Sequence, residues 1–310
     1  MNKIPVWIDT DTGVDDAVAI ITANSLEQLD IVGVSAVAGN TTVDNAFNNS
    51  RNVLSLAGRE DVKVYKGAEK PLVKELKTAG YVHGSSGLGV AVLEESKAPK
   101  EDKKAWDALY EKARELDGEL NIVAIGPLTN IAITIAKHPD FVNYVKQLCI
   151  MGGAIVGGNI TPSAEFNIYE DPHGAQCVFK SGIPVRMFGL DVTSKAYLDD
   201  DDIEEIVGYN NKASKLFMDS NKIIYENRAK FYEHGLCEHD TCPIAYLAHP
   251  EIFTGKQCGI YVETKGDLTI GKTVSDFYTD FKFEDRHCEA FTDVDREEFV
   301  KIIKKAYRAY

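Results

Sequence analysis

Positive charge is in short supply. The 310 residues carry 34 Lys and Arg against 48 Asp and Glu, a formal net charge of −14. Nucleic acid and anionic membrane need a basic face, so neither is expected as a primary partner, whereas a small neutral or cationic ligand is compatible. Long apolar runs are missing as well: no stretch approaches the roughly 20 residues of a membrane-spanning helix. The run Ile4–Ile8 after Met1-Asn2-Lys3 meets Asp9 at once and is too short for a secretory signal. Cys149, Cys177, Cys237, Cys242, Cys258 and Cys288 lie scattered without CxxC spacing. That disfavours a zinc site or a disulfide framework and leads us to expect buried thiols in a cytoplasmic protein. No linker, low-complexity tract or repeat interrupts the chain, so one domain over residues 1–310 is expected. The HExxH pattern is missing, which excludes the metalloprotease helix it encodes. What remains is ordinary in bulk: 44% hydrophobic and 26% charged residues, enough to bury a sizeable core.

Acid, by contrast, is concentrated in one place. Asp9, Asp11, Asp15 and Asp16 fall within eight residues, with no Lys or Arg among them. Ile4-Pro5-Val6-Trp7-Ile8 before them reads as a buried strand, and Ala17-Val18-Ala19-Ile20-Ile21 after them as a packed helix. The carboxylates therefore stand where a first strand hands over to a first helix, the end of an α/β sheet at which ligands bind. Singly, Asp15 is an ordinary N-cap, Asp16 a first-turn acid, and Asp9 and Asp11 solvated loop residues. Together they repel, and a helix dipole offsets only about 0.3–1 kcal/mol per charge. Oxygen ligands in this number suit a hard divalent cation. An EF-hand loop does not fit, because Gly13 and Ile20 stand where its oxygen ligands belong.

Strand and helix then alternate. Strands are expected near Asp30–Val37, Val62–Tyr65, Leu120–Ile125, Gln147–Met151 and Pro184–Phe188. Helices are expected over Val43–Ala57, Glu101–Leu116, from Gly126-Pro127 onward, Phe141–Val145, from Asp171-Pro172 onward, Ile203–Val207, Asn211–Tyr232, Ile244–Ala248 and Asp295–Tyr307. The rhythm predicts an α/β fold: an open, mostly parallel sheet with helices on both faces. Strands near Gly259–Glu263 and Leu268–Gly271 predict a small antiparallel addition close to the C-terminus. Residues 77–90, with four glycines around His83, read as a mobile loop. The acidic run Asp199–Asp202 reads as a solvated helix start. Residues 152–167 form a long polar loop at a strand end, a place where function concentrates.

These segments carry a resemblance. Asp9-x-Asp11-x-Gly13-x-Asp15-Asp16-Ala17 is similar to the N-terminal signature of the calcium-dependent, inosine–uridine-preferring nucleoside hydrolases. Ala38-Gly39-Asn40, His83-Gly84, Ile125-Gly126-Pro127-Leu128-Thr129-Asn130, Met151-Gly152-Gly153, Ala164-Glu165-Phe166-Asn167, Gly189-Leu190-Asp191 and His239-Asp240 follow in that family's order. The likeness covers nearly the whole chain. It implies the Rossmann-like nucleoside hydrolase fold and Ca2+ held by the carboxylates of Asp11, Asp16 and Asp240 with the main-chain carbonyl of Ile125. It implies a ribonucleoside substrate whose ribose meets Asp15, Asn40, Asn159, Glu165 and Asn167. His83 matches a loop residue near the base, and His239 the residue that assists the leaving base. A homodimer or homotetramer is implied too. Toward the base, Asn227, Arg228 and Phe231 stand in a segment that varies within the family, so purine or pyrimidine preference is left open.

Chemistry supports these roles. An N-glycosidic bond breaks through an oxocarbenium-like sugar attacked by water. A cation lowers the pKa of a water bound to it, and Asp11 is then placed to take the proton. The departing base needs a proton, and a histidine with its ordinary pKa near 6.5 suits a donor at neutral pH. Two rivals stand beside this reading. Asp9-Thr10-Asp11-Thr12 fits superficially the nucleophile motif of haloacid-dehalogenase-type magnesium-dependent phosphatases, although Gly266-Asp267 lacks the second Asp four residues on. A non-catalytic, calcium-dependent nucleoside-binding protein would use the same pocket without needing His239 or Asp11.

Overall fold

Apolar, β-branched runs that must be buried on both faces pack as parallel strands under helical crossovers. The computed structural model describes residues 3–227, 234–278 and 286–310. The first half contains β1 (Ile4–Thr10), α1 (Val14–Ser25), β2 (Leu29–Ala36), α2 (Val43–Leu56), β3 (Val64–Lys66), α3 (Gly80–His83) and α4 (Ala105–Leu116). Next come β4 (Leu120–Ala124), α5 (Thr129–Lys137), β5 (Val145–Met151), α6 (Phe166–Glu170), α7 (Pro172–Phe179), β6 (Val185–Phe188) and α8 (Leu190–Thr193). The remainder comprises β7 (Tyr197–Leu198), α9 (Asp200–Gly208), α10 (Lys212–Glu226), β8 (Leu236–Cys237), α11 (Thr241–Ala248), β9 (Phe253–Val262), β10 (Thr273–Asp276), β11 (Cys288–Val294) and α12 (Arg296–Arg308).

The main sheet has nine strands in the order β3-β2-β1-β4-β5-β6-β11-β9-β10. Every pair from β3 to β11 is parallel, while β9 runs antiparallel to both β11 and β10. Strand order reverses between β1 and β4, and such a switch point opens a crevice at the strands' carboxyl ends. Alternation along β1 divides the core. Val6 and Ile8 pack with α1 and α2 on one face, and Trp7 packs with the Leu120, Ile122 and Leu148 side chains on the other. Trp7 also donates to Ser35 Oγ (2.8 Å) and stacks on Tyr65. Outside this sheet, β7 and β8 form a two-stranded antiparallel ribbon. No helix among the described residues is long and apolar enough to cross a membrane.

Several expected elements differ. The antiparallel addition exists, but residues 268–271 form a turn and the pairing strand is Thr273–Asp276. The segment 141–145 is a 3-10 turn over Pro139–Tyr144. Residues 77–90 are packed instead of free: α3 forms, Ala79 N donates to Asn40 O (3.0 Å) and Val90 N to Asp219 O (3.1 Å). Asp202 is mostly buried, because Arg296 and Lys304 (2.8 Å) both reach its carboxylate. The helix expected through Tyr232 runs to Glu226 and is capped by Asn227; residues 228–232 lie outside the described residues.

Candidate active site

β1 ends at Thr10 and α1 starts at Val14, so Asp11 and Asp16 flank a tight turn at the switch point. The turn is pinned by its own acids. Asp16 accepts from Gly13 N (2.8 Å) and from the Thr10 hydroxyl (2.5 Å). Asp11 accepts from Asn40 N (2.6 Å), and Asn40 Nδ2 stands 3.2 Å from both Asp11 Oδ1 and Asp16 Oδ2. Such close approach needs glycine beside it: a Cβ on Gly39 would stand 2.1 Å from Asp11 Oδ2. Asp240, at the start of α11, completes the group, and ligand atoms of Asp15, Asp16 and Asp240 lie within 4.8 Å of one another.

From β4 comes Ile125, whose carbonyl accepts from Asn167 Nδ2 (3.2 Å). The same amide nitrogen reaches Met151 O (3.1 Å), tying the ends of β4 and β5 to α6. Glu165 caps α6, accepting from Asn167 N and Gly153 N (both 2.8 Å) and Ile168 N (3.2 Å). Asn159 Oδ1 accepts from Phe166 N (2.9 Å). Beneath His83, Nδ1 accepts from Val14 N (3.1 Å) at the head of α1. His239 Nδ1 lies 2.7 Å from Thr193 Oγ1.

Most of these side chains share one cleft of about 570 Å³. Asp15, Asn40, His83, Ile125, Asn159, Glu165, Asn167, His239 and Asp240 all line it, while Asp11 and Asp16 are fully buried behind the wall. Asn227 closes α10 and turns back on it, donating to Ile223 O (2.9 Å). Arg228 and Phe231 lie outside the described residues.

The pattern of the family described as inosine-uridine preferring nucleoside hydrolase matches residues 6–301. The chain belongs to that family. It is 39% identical over 308 residues to a pyrimidine-specific ribonucleoside hydrolase RihA of Shewanella woodyi, covering 99% of this chain and 98% of the relative. It is 40% identical over 310 residues to the RihA of Citrobacter koseri, with 99% of each covered. Among solved structures, the plant nucleoside hydrolase PpNRh1 superposes with a TM-score of 0.95 at 31% identity over 100% of both chains. A purine-preferring ribonucleoside hydrolase from Gardnerella vaginalis gives 0.91 at 28% identity over 98% of each. This nucleoside hydrolase is thus an N-glycosyl hydrolase of ribonucleosides with the fold expected for it.

Its electrostatics call for a cation. Burial, and then the charge of neighbouring Asp16, pushes the Asp11 carboxyl well up. Burial and the charge of Asp15 do the same to Asp240. Asp15 is lifted to about 7 by loss of solvent and by Asp16, and burial raises Asp16 as well. Four acids in this state stay ionised together only with positive charge among them, and an all-oxygen set of this kind matches a hard divalent ion. The residues fit a metal.

Asp9 serves elsewhere. It is fully buried, accepting from Ser35 Oγ and from Asn130 Nδ2 (2.8 Å), whose Oδ1 in turn takes Ala68 N (2.8 Å). It buttresses the strand ends from below, which also removes the phosphatase rival: that chemistry needs Asp9 facing substrate. His239 departs from expectation in one respect. Desolvation lowers it to about 4, so its ring is neutral at pH 7 before substrate binds, as is His83 for the same reason.

Sequence reasoning missed Thr193, Asp191 and Glu238. Asp191 accepts from Ile155 N (2.6 Å) and Val156 N (3.0 Å), fixing the loop that carries Asn159. Glu238 is fully buried and held by Asn221 Nδ2 (3.2 Å). Asp191 ends the Gly189-Leu190-Asp191 motif and Glu238 stands directly before His239-Asp240, and their charge was the available signal. Thr193 had none.

Proposed function

We propose that this nucleoside hydrolase cleaves ribonucleosides to base and ribose with Asp11 as general base and His239 as the group that assists the leaving base. The observation that carries the reading is that Asp15 and Asp240 of the carboxylate cluster line one cleft of nucleoside-compatible size together with His239, with Asp11 and Asp16 directly behind its wall. Asp11, Asp16, Asp240 and the Ile125 carbonyl would hold a divalent cation, Ca2+ by likeness to the family and by the oxygen donor set. When bound, that ion supplies anchorage for the ribose hydroxyls and lowers the pKa of a water.

The chain's own residues do the rest. Asp15, Asn40, Asn159, Glu165 and Asn167 bind the sugar hydroxyls and so fix the ring in the cleft. Water adds to C1′ and Asp11 takes its proton, while the C1′–N bond breaks with its electron pair passing to the base. His239 gives a proton to that base. His83, buried against α1 and lining the cleft, borders the base. Pyrimidine ribonucleosides are the proposed preferred substrates, supported by the relatives named pyrimidine-specific that match over 99% of this chain.

Ribose release from uridine, cytidine, inosine and adenosine, measured with calcium and with chelator, tests the function and ranks the bases. We expect turnover with calcium, fastest on uridine or cytidine, and its loss on chelation. No ribose from any of the four would overturn the hydrolytic reading. We also infer one catalytic unit over residues 1–310, acting in the cytoplasm as a homodimer or homotetramer; light scattering of the purified protein checks the assembly.

A further inference from the structure

Gly189-Leu190-Asp191-Val192-Thr193 leaves β6 at the carboxyl end of the sheet and coils at once into α8. The turn is fastened at both ends: Leu190 N donates to Gly153 O (3.0 Å) and Thr193 N to Gly189 O (3.1 Å). Thr193 is fully buried, and a β-branched side chain has few rotamers open to it. Its hydroxyl is therefore a fixed point. His239 comes from a distant stretch, 46 residues on, and meets Thr193 because β7 pairs with β8, Tyr197 opposite Cys237. Among the described residues, His239 Nδ1 is the polar partner given to the Thr193 hydroxyl.

We propose that Thr193 is a positioning residue for the hydrolytic reaction: its hydroxyl holds Nδ1 of His239, so that Nε2 is the nitrogen presented to the leaving base. The proposal rests on the reading that His239 assists the base. Proton accounting shows why a hydroxyl belongs there. In the transfer the ring, neutral in the empty site and protonated from solvent once the nucleoside is bound, gives its Nε2 proton to a base nitrogen as the C1′–N electron pair moves onto the base. The ring keeps its Nδ1 proton, which donates to Thr193 Oγ1. When the resting ring carries its proton on Nε2, the same hydroxyl reverses and donates to Nδ1. Because it both donates and accepts, one hydroxyl pairs Nδ1 in every state. Valine, close to threonine in size, does neither. Serine does both.

The test compares leaving groups. His239→Ala, Thr193→Val, Thr193→Ser and the double variant are assayed on uridine, inosine and p-nitrophenyl riboside, whose leaving group needs no proton. His239→Ala should lose turnover on the nucleosides far more than on the nitrophenyl riboside; equal losses would overturn the reading of His239 itself. Given that discrimination, Thr193→Val should lose about 10- to 100-fold in kcat on the nucleosides. It should lose less than about threefold on the nitrophenyl riboside, and Thr193→Ser should keep most of wild-type activity. In the His239→Ala background, Thr193→Val should add nothing on nucleosides. Thr193→Val losses equal on both substrate types, no loss on nucleosides, or full additivity with His239→Ala would each overturn the proposal while leaving the role of His239 standing. If Thr193→Val folds poorly, Thr193→Ser decides the matter: a loss confined to the nucleosides despite the retained hydroxyl would overturn the proposal.

Discussion

Asn40 does two things at a point where one misplaced atom is costly. Its backbone N–H and side-chain amide hold Asp11, and the same amide reaches Asp16. The carboxylates stay close because neutral donors sit between them. Gly39 makes room for that arrangement. Gly39→Ala puts a methyl group into the Asp11 carboxylate and should lower kcat at least tenfold, since displacing a catalytic group by about 1 Å costs up to 10²-fold. Steady-state kinetics on uridine check this; an unchanged kcat would show that Asp11 has slack. Glu165 gives a second prediction. Burial raises its pKa from 4.5 to about 7 against the amides that hold it. A folded pKa above the unfolded one means the folded state gains protons, so this group's contribution to stability is full below about pH 4.5 and is lost as pH rises to about 7. Glu165→Gln should therefore flatten the fall in unfolding free energy between pH 5 and 8, by a few kcal/mol at most. Urea titrations at several pH values read it, and parallel curves for the two proteins would contradict it.

At the scale of elements, the cleft's rim is a loop held from both sides. Asp191 takes the amides of Ile155 and Val156, and Lys272 takes the carbonyls of Ala154 (3.0 Å) and Ile155 (2.8 Å). The hydroxyl of Thr273, at the start of β10, closes on Ala154 as well (2.9 and 2.7 Å). The antiparallel addition thus braces the loop that presents Asn159. Asp191→Ala should raise KM for uridine about tenfold with a smaller effect on kcat, because a loosened rim loses ground-state binding first. A kcat loss with unchanged KM would place Asp191 in the chemistry instead. Such bracing explains what was legible in the sequence and what was not. The strand–carboxylate–helix passage from Ile4 to Ile21 could be read directly, because hydrophobic period and charge density are local. Asp240 could be nominated as a third carboxylate but was tied to the cluster only by likeness to a family, and the Ile125 carbonyl came through that likeness alone, since an apolar side chain signals no ligand. α3 and α6 hide in glycine-rich and polar stretches because long-range partners stabilise them: Asn40 O for the first, Gly153 N on Glu165 for the second. The hydroxyl of Thr193 was invisible because its role depends on the pairing of β7 with β8.

The whole molecule places its charge imbalance where the sheet order reverses. β1 and β4 are neighbours with crossovers leaving in opposite directions, which opens a crevice at their carboxyl ends. Asp11, Asp15 and Asp16 reach that crevice from β1 and α1, Ile125 from β4, and Asp240 from α11, more than a hundred residues beyond. A cation there joins elements from both ends of the chain, so its binding is linked to folding. Protons compete for the same oxygens. Without the cation, Asp11, Asp16 and Asp240, all raised chiefly by burial, take up protons on folding, and that stabilising share is lost as pH rises above the ordinary carboxylate range. Raising the pH therefore weakens the cation-free protein and frees its ligands. Calcium should raise the unfolding temperature at every pH, by several degrees more at pH 8 than at pH 5.5, and chelator should reverse the gain. Thermal scans with calcium and with chelator across that range measure the difference. A calcium shift that is the same at both ends, or larger in acid, would mean that the buried carboxylates are not where the ion binds.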